Sequence, residues 1–422
     1  MKNDFNISRL GVRRFESPVS PSAFVADDAG VLMDIEVSRG PADVVSGQIA
    51  EPAGPRAGLY FNPSAVRAAI VTCGGLCPGL NDVIRAAVMV LWYRYGVRDI
   101  LGIRYGYSGL TEAGVPPMRL TPEIVEDIHT DGGTILGSSR GPQDVAEMAE
   151  YLAANGIDIL LTVGGDGTQR GALALCREIR RRELRIAVVG VPKTIDNDIA
   201  YTSRTFGFET AVAMSQAPIA AAHMEAKGSR NGIGLVRLMG RESGFVAAYA
   251  ALASSDVNMV LVPEVHFSID KLMVFLEQRL ERKSHAVIVA AEGAGQDYVG
   301  MGGSDASGNR KLGDIGIFLR EKIEEHFSAR PAPVKVRYID PSYTIRSAPT
   351  SPDDSVFCFQ LAAYAAHAAM SGRTGMVVSL WNGHFVHIPV EKAVSARKTI
   401  DPAGPLWQNV MDNTGQPELG SR

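Results

Sequence analysis

The feature that most constrains the fold is a repeated pattern of short apolar runs, each followed by glycine-rich or polar residues and then by a helical pattern. Runs that alternate with helical segments in this way predict βαβ units, in which right-handed crossovers join parallel strands. The strand candidates form a first series at Ala68–Thr72, Ile100–Ile103, Ile157–Val163 and Ile186–Val191, and a second at Ile233–Leu238, Met259–Val262 and Val287–Ala291. The helix candidates are Gly79–Tyr95, Thr168–Arg180 and Ser243–Ala253. Two such series predict an α/β fold with two similar Rossmann-like lobes, parallel-rich sheets and a cleft between the lobes.

The chain is long enough for two or three packed domains, with 422 residues of which 46% are hydrophobic. Residues 1–65 lack a clear periodicity, so we expect an N-terminal extension that wraps the surface or stays partly mobile. Residues 66–207, completed by about 346–400, are expected to form the first lobe. Residues 208–345, completed by the C-terminal tail, are expected to form the second.

Composition excludes several classes of protein. A formal net charge of −4 gives no sign of a nucleic-acid or membrane-surface partner. The sequence has no run of 18 apolar residues, and its first ten residues lack the apolar core of a signal peptide. The four scattered cysteines are typical of reduced thiols, so we expect a cytoplasmic protein. Cys73 and Cys77 have no second Cys/His pair nearby, which disfavours a structural metal site.

Five of the apolar runs end in sequences that suit a binding site. These sequences are CGGLCPGLN, GGDGTQRG, PKTIDND, MGRESG and EG. Ligands of open α/β sheets bind outside the carboxyl ends of the strands. The pattern therefore predicts that these five segments contribute to ligand binding.

Two of the five segments are glycine-rich turns between a strand and a helix. Residues 74–81 suit a phosphate that approaches backbone N–H groups at a helix N-terminus, or else a tight turn without a ligand. They are not a Walker A loop, because no Lys-Ser/Thr pair follows. In residues 164–168, Gly167 leaves space for a nucleotide, and Asp166 is the natural magnesium ligand or else a plain helix cap.

The remaining segments carry charged side chains. Asp196 and Asp198 are spaced to supply a catalytic base and a positioning carboxylate, with Lys193 for a phosphate, although an Asx-rich turn is the alternative. Arg241 suits a phosphate oxygen or else a surface ion pair. Glu292 suits sugar hydroxyls or else a helix cap.

Three further arginines have two interpretations each: they bind a ligand, or they are simply exposed on the surface. Arg337 and Arg346 flank Tyr343 in VKVRYIDPSYTIRSAP, as a sugar-phosphate pocket would need. Arg140 lies in a glycine/serine turn, where it could meet donor phosphates.

Taken together, GGLCPGLN, GGDGTQRGA, PKTIDND and LMGRESG resemble the phosphofructokinases, in particular the ATP-dependent branch of plants and trypanosomatids. The resemblance runs from about Val66 to Pro417. GGDGT alone is weakly specific, because NAD kinases and lipid kinases have similar segments, but the four motifs in this order are highly specific.

The resemblance implies a role for each motif. The first lobe would bind the nucleotide and magnesium, with Asp166 as the metal ligand, through Gly75, Tyr107, Arg140, Asp166, Gly167 and Thr168. The transferring group would contact Thr194, Asp196 and Asp198, with Asp196 as the base for the sugar 1-hydroxyl and with Lys193, Arg140 and Arg241 offsetting charge. The second lobe would bind the sugar phosphate through Met239, Gly240, Arg241 and Glu292, and its 6-phosphate through Tyr343, Arg346 and an Arg337 lent by a neighbouring subunit.

Departures from the bacterial ATP-dependent pattern bear on the substrates. Gly232 replaces an intersubunit arginine and Tyr343 replaces a histidine, so sedoheptulose 7-phosphate remains an alternative acceptor to fructose 6-phosphate. Pyrophosphate-dependent relatives share Lys193 but carry Asp at the place of Gly167. An Asp there would repel an α-phosphate, so Gly167 favours ATP over pyrophosphate.

The resemblance thus implies a magnesium-dependent 6-phosphofructokinase of glycolysis that uses ATP and fructose 6-phosphate. It also implies a homotetramer or homodimer with shared active sites. Besides pyrophosphate as donor and sedoheptulose 7-phosphate as acceptor, two alternatives of other kinds remain: a non-catalytic sugar-phosphate sensor, disfavoured by the intact TIDND motif, and an NAD-kinase-like enzyme, disfavoured by PKTIDND and MGR.

Overall fold

The computed structural model describes residues 4–35, 48–300, 303, 311–329 and 333–420. In chain order its strands are β1 (Ser8–Arg9), β2 (Phe15–Glu16), β3 (Val31–Leu32), β4 (Ile49–Pro52), β5 (Gly58–Leu59), β6 (Arg67–Thr72), β7 (Asp99–Ile103), β8 (Met118–Arg119), β9 (Ile159–Gly164), β10 (Ala187–Pro192), β11 (Gly232–Leu238), β12 (Met259–Leu261), β13 (His285–Ala291), β14 (Lys335–Ile339), β15 (Arg373–Thr374), β16 (Met376–Trp381) and β17 (His384–Pro389).

Its α-helices, in the same order, are α1 (Leu80–Met89), α2 (Pro122–Val125), α3 (Val145–Ala154), α4 (Asp166–Arg181), α5 (Phe208–Lys227), α6 (Phe245–Ser254), α7 (Ile269–Lys283), α8 (Gln296–Val299), α9 (Ile315–Phe327), α10 (Ser342–Arg346), α11 (Pro352–Met370), α12 (Val390–Ala393) and α13 (Pro405–Thr414). Short 3₁₀ segments lie at Pro21–Ala23, Gly106–Leu110 and Ile128–Thr130, and a π-helical segment, Val90–Tyr95, continues α1. Among these elements no helix combines the length and hydropathy needed to cross a bilayer.

The described residues group into two compact units. The first comprises described residues of 1–194, 199–207 and 348–396, and the second those of 195–198, 208–347 and 397–420. Residues 195–198 thus group with the second unit, although the sequence-based division places 66–207 in one lobe. Each unit has its own sheet, so the predicted α/β class with two parallel-rich lobes is confirmed.

The first unit is built on a nine-stranded sheet in the order β3-β4-β17-β16-β10-β9-β6-β7-β8. Its centre, from β16 to β7, is parallel, and the outer strands are antiparallel. Helix α4 packs on β9 and β10, and α11 packs on the same two strands. The apolar runs of the sequence are buried here because parallel strands have both faces covered by helices. Since β6, β9 and β10 are neighbours in register, the segments that follow them leave the sheet at one edge.

The described part of the N-terminal extension belongs to the core of the first unit. Strand β4 pairs with β17, β1 pairs with β15, and Phe5 and Leu59 are buried. Glu51 in β4 forms ion pairs with two fully buried arginines, Arg56 and Arg373. The extension is therefore joined to the sheet both by backbone pairing and by buried charges.

The second unit is built on a four-stranded parallel sheet in the order β12-β13-β11-β14. Helices α5, α7 and α9 pack on its strands, around a core that includes Ile233, Leu235, Leu276 and Ile288. The segments after β11 and β13, MGRESG and EG, leave this sheet side by side because the two strands are in register to their last residues.

Candidate active site

Lys193 joins the three strand-end segments of the first unit. It directly follows β10, and its ammonium group donates a hydrogen bond of 2.7 Å to the carbonyl of Gly75, which lies beyond β6. Its backbone N–H donates to the carbonyl of Gly164 at the end of β9, at 3.0 Å. The side chain is largely buried. A buried ammonium requires such partners, so the local fold places one cation where the three loops meet.

Arg140 lies directly against the first glycine-rich turn. A Cβ atom added at Gly75 would lie 3.0 Å from Arg140 Nη2. The neighbouring backbone is fixed by two hydrogen bonds, from Gly74 N–H to the carbonyl of Ser139 at 3.0 Å and from Ser138 Oγ to the carbonyl of Gly74 at 2.6 Å. Glycine at position 75 therefore permits the close approach of a guanidinium group, and both Arg140 and Lys193 lie against this residue.

The second glycine-rich turn presents a carboxylate at the start of α4. Asp166 is the first residue of the helix, and it accepts a hydrogen bond of 2.9 Å from Arg170 Nε one turn later. Gly167 is exposed, and a Cβ atom there would meet no atom within 4 Å. At Gly164, in contrast, a Cβ atom would lie 2.1 Å from Thr168 Oγ1. The partial positive charge of the helix N-terminus and the open space at Gly167 both suit an anionic ligand.

Tyr107 and Thr168 are placed beneath this turn. The Tyr107 hydroxyl donates to the carbonyl of Thr168 at 2.8 Å, and both side chains are buried. Burial raises the pKa of Tyr107 well above its ordinary value, so the phenol remains neutral. The contact supports the first turn of α4. The direct contact of Tyr107 and Thr168 with a nucleotide stays a prediction.

The residues of the first unit fit a magnesium ion that arrives with phosphate. Asp166 is the one carboxylate among the predicted nucleotide-side residues, and the described part of the chain contains no group of three or more His, Cys, Asp or Glu side chains arranged for a metal. Mg²⁺ is commonly held by one or two carboxylates together with substrate phosphates and water. Asp166 stays a predicted ligand, and its carboxylate, which now accepts a hydrogen bond from Arg170, would be the group that holds the metal.

The TIDND segment is held by several separate contacts. In the first unit, the carbonyl of Thr194 accepts a hydrogen bond of 2.6 Å from Thr205 Oγ1. In the second unit, the carbonyl of Asp196 accepts one of 3.0 Å from Ser243 Oγ. Asp198 is only 9% exposed at its side chain and forms an ion pair of 3.0 Å with Arg397. Sequence reasoning missed Arg397, which lies in no recognised motif.

The ends of β11 and β13 meet at two glycines. Gly240 has a φ of +131°, and a Cβ atom there would lie 2.4 Å from the carbonyl oxygen of Ser243. Gly293 donates from its N–H to the carbonyl of Gly240 at 2.9 Å, and a Cβ atom at Gly293 would collide with the carbonyl of Arg241. This packing places Arg241 beside Glu292, with Met239 buried at the end of β11.

Glu292 lies among positive charges. Burial raises its pKa, and the charges of Arg237, Arg241 and Arg346 act in the opposite direction. Arg237 Nη1 is 3.6 Å from Glu292, and its guanidinium also pairs with Asp340. Arg237 was not identified from the sequence, although a charged residue inside the apolar run GIGLVRL was an available signal.

The predicted 6-phosphate residues divide into two places. The Arg346 guanidinium lies 4.5 Å from the centre of the Tyr343 ring, and Tyr343 is 74% exposed. The charges of Arg346 and Arg241 both act on Glu292, so these residues share a neighbourhood. Arg337 lies on the edge strand β14 and pairs with Glu225 on α5 at 3.3 Å. Its predicted contribution to a neighbouring subunit stays a prediction.

A cavity of ≈ 240 Å³ in the second unit lies away from these residues. It is lined by β12, the segment that follows β12, α13 and the C-terminal tail, including Phe267, Trp407 and Met411. None of the site residues predicted from the sequence lines it.

Comparison with known proteins identifies close relatives. The phosphofructokinase family model matches residues 67–369. An ATP-dependent 6-phosphofructokinase of Borreliella burgdorferi is 46% identical over 433 residues, which covers 98% of this chain and 97% of that protein. The ATP-dependent 6-phosphofructokinase of Trypanosoma brucei brucei is 48% identical over 382 residues, covering 89% and 78%. In Arabidopsis thaliana, ATP-dependent 6-phosphofructokinase 7 is 47% identical over 374 residues, covering 87% and 77%.

Solved structures agree on the fold. The pyrophosphate-dependent phosphofructokinase of Marinobacter aquaeolei superposes with a TM-score of 0.69 at 18% identity, covering 84% of this chain and 92% of that one. At this identity the likeness shows a shared fold alone.

Proposed function

This chain belongs to the phosphofructokinase family, and we propose that it is an ATP-dependent 6-phosphofructokinase. It transfers the γ-phosphoryl group of ATP to the 1-hydroxyl of fructose 6-phosphate and yields fructose 1,6-bisphosphate. The observation that carries the proposal is the presence of two features together. Lys193 is hydrogen-bonded to Gly75, and Gly167, next to Asp166, is exposed with open space around its Cα. The relatives named above support the same reading.

The donor side supplies charge and space. When bound, Mg²⁺ neutralises part of the charge on the donor phosphates. Asp166, the first residue of α4, is the residue that would hold it. Lys193 and Arg140 bind phosphate oxygens, and Gly167 leaves room for the α-phosphate. Phosphoryl transfer needs little covalent work from the protein, so positioning and charge neutralisation account for most of the catalysis.

The acceptor side supplies the base and the sugar contacts. The Asp196 carboxylate accepts the proton of the attacking 1-hydroxyl, and Asp198 positions the loop. Thr194 and Arg241 contact the moving group. Met239, Gly240 and Glu292 bind the sugar, while Tyr343, Arg346 and Arg337 bind its 6-phosphate. An Arg337 that serves the site of a neighbouring subunit implies a homodimer or homotetramer, which we place in the cytoplasm.

The test is a direct assay of the purified protein with each pair of substrates. ATP or pyrophosphate is offered with fructose 6-phosphate or sedoheptulose 7-phosphate, and product formation is followed with and without Mg²⁺. We expect the highest kcat/KM with ATP and fructose 6-phosphate. Without Mg²⁺ we expect no product formation. Higher activity with pyrophosphate, or binding without turnover in calorimetry, would overturn the proposal.

A further inference from the structure

The segment 397–400 holds the TIDND loop from outside the recognised motifs. Arg397 Nη1 pairs with Asp198 Oδ2 at 3.0 Å, and the next residue, Lys398, donates from its backbone N–H to the carbonyl of Asp198 at 2.9 Å. Asp198 is thus held at both its side chain and its backbone. It lies two residues from Asp196, so these contacts restrict the position of the proposed base.

Glu264 anchors the same segment to the loop that carries Arg241. Its Oε1 accepts a hydrogen bond of 2.8 Å from the N–H of Ile400. Its two carboxylate oxygens also accept from the N–H of Gly244, at 3.0 and 3.1 Å. Burial raises the pKa of Glu264, and the hydrogen bonds from Ile400 and Gly244 act against that rise. A half-buried carboxylate that accepts from two separate backbone positions fixes one relative to the other.

A third contact joins the start of α6 to the TIDND segment. Ser243, next to Gly244, donates from Oγ to the carbonyl of Asp196 at 3.0 Å. The ammonium of Lys398 lies 5.1 Å from the ring centre of Phe245, the first residue of α6. Burial lowers the pKa of Lys398 to about 8, and the charge of Asp198 acts in the opposite direction. Asp196, Asp198 and the start of α6 are therefore tied to one short segment near the C-terminus.

We propose that Arg397 is a positioning residue for phosphoryl transfer, which acts through Asp198, and that Glu264 anchors the segment that carries it. The inference rests on the proposed function, because it takes Asp196 as the base. A base contributes only when it lies within hydrogen-bond reach of the proton that it removes. Misplacement of a reacting group by about 1 Å lowers the rate by roughly 10²-fold. Arg397 touches neither substrate in this account, so its loss affects kcat more than either KM.

The test compares Arg397→Met and Arg397→Lys with a matched control. Arg177→Met is that control, because Arg177 forms an ion pair of 3.1 Å with Glu391 on an exposed surface. We expect Arg397→Met to lower kcat by about 10- to 100-fold with both KM values within about threefold of wild type. Arg397→Lys retains a positive charge for Asp198 and should recover at least a third of the wild-type kcat. The kcat and both KM values of Arg177→Met should match those of wild type.

Hydrogen exchange provides a readout that does not depend on activity. The backbone amides of residues 195–199 should exchange faster in Arg397→Met than in wild type, and the amides of β9 and β10 should not. A kcat within twofold of wild type, an equal loss in the lysine variant, or unchanged exchange at 195–199 would each overturn the positioning role. If the wild-type protein lacks phosphofructokinase activity, the proposed function fails, and the exchange result alone then decides whether Arg397 holds the loop.

Discussion

Replacing Gly167 with aspartate tests the donor proposal most directly, because it adds one charge at an open position. A Cβ atom at Gly167 would meet no atom within 4 Å, and residue 167 is the second residue of α4. Removal of a helical glycine and addition of an acid in the first turn both favour the helix. The fold should therefore survive, and a loss of activity reports on the donor.

The expected magnitude follows from Coulomb's law. Two unit charges about 4 Å apart interact by about 4 kcal/mol at an effective dielectric constant of about 20. Residue 167 is exposed, and Mg²⁺ neutralises part of the phosphate charge, so we take roughly half of this value, about 2 kcal/mol. Since about 1.4 kcal/mol corresponds to a factor of ten in rate, kcat/KM for ATP should fall by about 30-fold.

The assay measures kcat/KM for ATP and for pyrophosphate at saturating fructose 6-phosphate. Gly167→Asn is the matched control, because asparagine has the size of aspartate without its charge, and it should stay within about threefold of wild type. Pyrophosphate has no α-phosphate, so the ratio of ATP to pyrophosphate activity should fall in the aspartate variant alone. Equal losses in both variants, or an unchanged ATP activity in Gly167→Asp, would refute the electrostatic reasoning.

Three further predictions concern the base, the glycine-rich turn and the N-terminal extension. Asp196→Ser should lower kcat by about 10²–10⁴ with intact folding by circular dichroism, and near-wild-type turnover would remove Asp196 from the role of base. Gly75→Ala should raise KM for ATP by about tenfold in the assay of product formation, because its Cβ would press on Arg140, and an unchanged KM would argue against Arg140 as a donor ligand. Glu51→Gln should destabilise the first unit by about 3–5 kcal/mol in urea unfolding, since it leaves two buried arginines short of a counter-charge. The exposed control Glu391→Gln should change stability by less than about 1 kcal/mol, and equal effects of the two would contradict the argument from burial.

Seven of the observed strands, β6, β7 and β9 to β13, could be predicted from the sequence, whereas the sheet strands β3, β4, β8, β14, β16 and β17 were not predicted. The predicted strand bounds differ from the observed ones by at most two residues, because runs of apolar residues report directly on burial within each element. The position of Asp166 and Gly167 in a turn between a strand and a helix could be predicted for the same reason, since such a turn is local in sequence. The predicted helix Gly79–Tyr95 was correct in extent but not in type over Val90–Tyr95, where the same apolar pattern fits a π-helical segment.

The distant residues that contact the site segments are evident only in the folded chain. Arg397 meets Asp198 across 199 positions of the chain, and Ile400 meets Glu264 across 136. Periodicity carries no information about such pairings, because it depends on neighbours within a few residues. The same limit applies to the N-terminal extension, whose Glu51 contacts Arg373 across 322 positions of the chain and whose strand β4 pairs with β17. The local segments could therefore be predicted from the residues, while the contacts that hold these segments in place required the folded chain.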